Sequence, residues 1–91
     1  MRLERISFET VAARLSAALR YTVSVKDVNK LVSCWNRKRE RLGANPIYFR
    51  QRVKDEVAWQ KAHDLPINKE RFFFADELQL FSHYVGYDLT K

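Results

Sequence analysis

Cysteine occurs once in this chain, so neither an internal disulfide framework nor a four-cysteine zinc site can form. Glycine and proline occur twice each, and that scarcity argues against folds built from β-hairpins, whose tight turns draw on glycine and asparagine pairs. With glycines only at positions 43 and 86, a glycine-rich phosphate loop is excluded. No run of about 18 apolar residues is present, so no membrane span and no membrane partner are expected. The opening Met1-Arg2-Leu3-Glu4-Arg5-Ile6-Ser7 lacks the apolar stretch of a secretory signal, and a cytoplasmic protein with a reduced thiol is the simplest expectation.

What is present suffices for one core. The 91 residues are too few for two, so residues 1–91 are expected to form a single helical domain. Apolar residues make up 46% and charged residues 31%, the balance of a globular chain rather than a disordered one. The formal charge of +6 is unevenly spread. Residues 1–45 carry ten Lys or Arg against four acids, whereas residues 46–91 carry seven against seven. The aromatics lean the other way, with nine of the twelve at or after Tyr48. A basic helical hairpin over 1–45 joined to an aromatic-rich helical half over 46–91 suggests two surfaces with different work.

Periodicity predicts about four helices packed as an all-α bundle. Ser7 caps the first, in which Phe8, Val11, Ala12, Leu15, Ala18 and Leu19 fall on one face. Ser24 caps the second, with Asp27 suited to the dipole of the first turn and Gly43 as the stop. This helix is expected to bury Val28, Leu31, Val32, Trp35 and Leu42. Asn45-Pro46 reads as the cap and first position of a third helix. It carries Phe49, Val53 and Val57 on one face and Tyr48, Trp59 and Ala62 on another, and ends at His63-Asp64-Leu65-Pro66. Asn68 either caps a fourth helix through Phe74, Leu78, Phe81 and Val85 to Gly86, or precedes an extended stretch over Lys69 to Phe74.

The turn between the first two helices resembles a DNA-binding helix-turn-helix unit. Ala18 matches the small residue that allows close helix approach, Tyr21 the apolar residue before the turn, Val23 the residue that follows it, and Val28 and Leu31 the anchors. Thr22 departs from the pattern, because glycine is usual where the backbone turns left-handed. The pattern also resembles the opening helical hairpin of the bacterial histone-like proteins, but nothing later matches their glycine-rich β-arm.

Projected at 100° per residue, Lys26, Lys30, Ser33, Arg37 and Arg41 fall within about 80° of one another, opposite the apolar stripe of the second helix. The line they form is about 22 Å long at 1.5 Å rise per residue. A cationic ridge of this kind suits a phosphate backbone, whose condensed counterions are released by each neutralising contact. Asn29 and Asn36 flank the ridge and are candidates for reading base edges, and Lys38 adds a further cation. Arg50 and Lys54 share a face of the third helix, but Asp55 and Glu56 follow at once, and local neutralisation is expected there. Arg14 and Arg20 could flank the backbone.

Phe72, Phe73, Tyr84 and Tyr87 are candidates for a protein interface, since exposed rings gather at contacts and a homodimer would bring paired half-sites. Cys34 is expected to be a small, partly buried hydrophobe, and Trp35 and Trp59 to belong to the core. His63 and His83 share no metal-binding spacing with each other or with the thiol. No catalytic residue, cofactor or metal is expected. The chain therefore reads as a small, non-enzymatic DNA-binding regulator, with duplex DNA favoured over RNA. The alternative is a protein-interaction module, an adaptor or inhibitor docking an acidic partner.

Overall fold

The computed structural model describes residues 4–91; Met1, Arg2 and Leu3, at the head of the segment read above for a secretory signal, lie outside them. In chain order the elements are β1 (Arg5–Ser7), α1 (Phe8–Leu19), α2 (Val25–Arg41), α3 (Phe49–Ala62), β2 (Phe72–Phe74) and α4 (Ala75–Val85). Four helices dominate the described residues, as periodicity predicts, but a two-stranded antiparallel ribbon corrects the all-α expectation.

Each strand runs straight into a helix. Ser7, the last residue of β1, is also the cap of α1, and its hydroxyl accepts from the Thr10 amide at 3.2 Å. At the other end of the chain, Glu77 reaches back to accept from the Phe74 amide at 2.9 Å, so the last residue of β2 is tied to the first turn of α4. The register pairs Arg5 with Phe74, Ile6 with Phe73 and Ser7 with Phe72.

Strand alternation accounts for three consecutive phenylalanines. Phe73 points inward with Ile6 and is fully buried. It lies 4.9 Å from the ring of Phe8, 5.1 Å from those of Phe49 and Phe81, and 6.3 Å from that of Trp35. Phe72 and Phe74 occupy the other side, where guanidinium groups cover them. Arg5 stands 4.8 Å over Phe72, and Arg52 stands 4.4 Å over Phe74.

The connections correct several expectations. α3 begins at Phe49, not at Pro46. The cause is Asn36, whose side-chain amide donates to the Ile47 carbonyl at 2.9 Å and accepts from the Ile47 amide at 3.0 Å. That clasp holds the segment before α3 extended, and Arg39 donates to the Asn45 carbonyl beside it at 3.0 Å. Leu42, expected in the core, lies past the end of α2 at 76% exposure. Asn68 caps no helix; its side-chain oxygen accepts from the Glu70 amide two residues on, a local turn that leads into β2.

Between α1 and α2, the left-handed residue is Arg20 at φ 60°, not Thr22. Ala18 is exposed and Tyr21 is 63% exposed, so neither sits at the helix contact that the spacing predicts for it. The turn is secured instead by Ser16, whose hydroxyl donates to the Ala12 carbonyl and accepts from the Val23 amide, both at 2.8 Å. Val23 and Val28 are buried, and Leu31 packs against the core. Beyond α4, Leu89 folds back into the core, its amide on the Ser82 hydroxyl and its carbonyl on Arg14.

Candidate nucleic-acid interface

α2 is the longest helix, 17 residues, and local chemistry fixes both ends. Ser24 and Asp27 form a reciprocal capping box, and the bonds from the Ser24 amide and hydroxyl hold the Asp27 carboxyl below its ordinary pKa. Gly43, at φ 81°, ends the helix, with the Ala44 amide on the Arg39 carbonyl and the Gly43 amide on the Glu40 carbonyl. Lys38, Arg39 and Arg41 in the last turn favour the negative end of the dipole.

Val28, Val32 and Trp35 bury one face of this helix. Lys26, Lys30, Ser33, Arg37 and Arg41 are all exposed. None of these four cations makes an ion pair among the described residues. The Ser33 hydroxyl donates to the Asn29 carbonyl at 3.0 Å. Lys38 is exposed with its ammonium 5.5 Å from the ring of Tyr84, and Arg39 lies over Trp35 at 5.0 Å. The two asparagines have partners within the protein. Asn36 is spent on Ile47, and the side-chain oxygen of Asn29 accepts from Arg71 at 2.9 Å.

A groove of about 620 Å³ opens beside the ridge, between α2 and the start of α3. Asn29, Ser33, Tyr48, Arg50, Lys54 and Arg71 line it together with Asn36 and Ile47. Among the described residues Arg50 and Lys54 form no ion pair with the two acids that follow them: Glu56 pairs with Arg5 of β1, and Asp55 accepts from Gln51 of its own helix at 3.0 Å. The chain folds both carboxylates into other contacts. Arg71 escapes sequence reasoning altogether, because it sits in no periodic segment. The only hint was a cation just before a phenylalanine run.

The expected protein interface changes character. Phe72 is 7% exposed and Phe73 fully buried, so neither ring is available to a partner. Tyr84 is half-buried against Phe81, and Tyr87 stays 42% exposed. Arg14 donates to the Leu89 carbonyl at 2.7 Å, a structural contact, while Arg20 stays exposed at the turn. Cys34 is exposed rather than partly buried, beside Arg37 and Arg41. Trp59 lies at the surface, stacked on His63 with ring centres 4.1 Å apart. Among the described residues, no group of three or more His, Cys, Asp or Glu is placed to hold a metal ion, and no helix is long and apolar enough to cross a membrane.

No protein-family model matches this chain, and neither a curated protein nor a solved structure is similar to it.

Proposed function

We propose that this chain binds nucleic acid, duplex DNA in the first instance, by laying the exposed face of α2 along the phosphate backbone. One observation carries the reading: Lys26, Lys30, Arg37 and Arg41 line the solvent face of one helix, and no ion pair neutralises them among the described residues. Solvated helix faces ordinarily interleave both signs; here the acids near the line are Glu40 and the capping Asp27, whose carboxylate also attracts Lys30 and Lys26 at the start of the helix. α1, the turn and α2 act in this reading as a helix-turn-helix-like unit with α2 as the contact helix.

The contact is to the backbone more than to bases. Bidentate reading of adenine needs a free side-chain carbonyl and a free amide on one asparagine, and both candidates already have partners. Binding is therefore expected to vary little with sequence. As a regulator, such a protein acts by occupying DNA.

Fluorescence anisotropy of the purified protein on a duplex of random sequence, at several salt concentrations, tests this. Four phosphate contacts predict a slope of about −3 to −4 in log K against log salt. Arg37→Gln with Arg41→Gln is expected to make the slope shallower by about 2 without loss of helical content. Absence of binding at low salt would overturn the reading and turn the search to an acidic protein partner.

A further inference from the structure

The groove between α2 and α3 differs in kind from the ridge beside it. A ridge presents its charges outward along a line, whereas a groove can surround one group. Arg50, Lys54 and Arg71 line it, and among the described residues none of the three makes an ion pair and no acid lines the groove. Three like charges around one hollow repel one another, and an arrangement of that kind is relieved by an anion between them. Arg71 is not loose: Asn29, from the facing helix, holds its guanidinium at 2.9 Å.

Two further features narrow the anion. The first turn of α3 opens on the same hollow with no acid in the turn, and among the described residues it has no side-chain cap and no acceptor for the amides of Arg50 and Gln51. That helix end alone would be an ordinary terminus; beneath three unpaired cations it adds donors of the right sign. Tyr48, the residue before α3, lines the groove and is 71% exposed, so a flat apolar ring stands at the edge of a cationic hollow. A nucleotide has that pairing of parts, an oxyanion joined to a flat base.

We propose that this groove seats one nucleotide of a nucleic-acid strand, its phosphate held by Arg50, Lys54 and Arg71 and its base laid against the ring of Tyr48. The proposal rests on the reading of the chain as a nucleic-acid binder and adds a place and a stoichiometry to it. An unpaired or terminal nucleotide fits best, because a base locked in a duplex cannot turn its face to the tyrosine. The protein is then expected to prefer a duplex with a 5′-phosphorylated single-stranded overhang to a blunt one.

Amide shifts of the isotope-labelled protein, followed while a 5′-phosphorylated dinucleotide is added, test the seat directly. The expected result is saturable movement of Tyr48, Arg50 and Gln51. Inorganic phosphate is expected to move Arg50 and Gln51 more weakly and to leave Tyr48 still. Arg50→Gln with Lys54→Gln is expected to weaken the dinucleotide by about tenfold or more. Tyr48→Ala is expected to lose about tenfold on the dinucleotide and nothing on inorganic phosphate. All three residues are exposed, and helical content checks that the variants remain folded. Movement spread evenly over Lys26, Lys30 and the groove would mean a diffuse ion atmosphere and would overturn the seat. So would a groove variant that keeps full affinity for the overhang while the Arg37→Gln, Arg41→Gln variant loses it, a result that leaves the ridge reading intact. If no nucleic acid binds at low salt, both readings fall together.

Discussion

Arg52 of α3 and Glu77 of α4 meet at two points, Nη1 to Oε1 at 2.6 Å and Nη2 to Oε2 at 2.7 Å. Both side chains are mostly covered, at 21% and 14% exposure. The same Glu77 oxygen that faces Nη1 also accepts from the Phe74 amide, and the guanidinium lies over the Phe74 ring. One carboxylate thus ties a strand, the helix that follows it and a neighbouring helix. Removing it leaves a covered cation and an unpaired amide together.

Glu77→Ala is accordingly expected to destabilise the protein by about 2–3 kcal/mol, below the range for a fully buried pair because some solvent reaches both groups. Glu77→Gln keeps an acceptor for the Phe74 amide and should lose less. Urea unfolding of the two variants measures the difference; equal losses would show that the cap contributes nothing.

Asn36→Ala removes both hydrogen bonds to Ile47 and is expected to cost about 2 kcal/mol. Duplex affinity at the same salt should hardly change. The opposite pattern, unchanged stability with altered sequence preference, would make Asn36 a base reader after all.

Phe73→Ala empties the centre of the ring cluster and is expected to cost about 4 kcal/mol. Phe74→Ala, half-buried and covered by Arg52, should cost about 1–2 kcal/mol. Thermal unfolding ranks the two, and a larger loss at Phe74 would contradict the strand alternation.

Acidity acts on two exposed carboxyls in opposite directions. A hydrogen bond to Glu70, and then repulsion from it, raise the pKa of Glu9. The folded value lies above the unfolded one, so this contribution to stability is complete below the unfolded pKa and is lost as pH rises through the folded one. Glu9→Gln should therefore melt higher than the parent at neutral pH, with the gap closing on acidification. Asp27 has a lowered pKa, chiefly from the Ser24 amide. Its contribution is present above the unfolded value and lost as pH falls through the folded one, so the deficit of Asp27→Asn should shrink in acid. Melting curves at a series of pH values check both signs.

α1 and α2 were legible because their ends are written locally, in Ser7, in Ser24 with Asp27, and in Gly43. The start of α3 was not, since Asn45-Pro46 obeys a local rule that Asn36 overrides from another helix. β1 has three residues and takes its form from β2, a partner near the other end of the chain, so no window of sequence contains its cause. The ridge followed from helical spacing alone. The groove beside it depends on where Glu56 and Arg71 come to rest, and that is tertiary information.

The ribbon also decides how the chain can be divided. Residues 61–70 are exposed throughout, whereas the strand and helix after them supply Phe73, Leu78 and Phe81 to the interior. A protease nick in that exposed stretch severs no buried backbone, yet it leaves β1 and β2 joined only by their pairing and by the shared core. Each fragment then holds what the other lacks. For two such pieces to rejoin, Ile6 would have to find Phe73 across a broken chain.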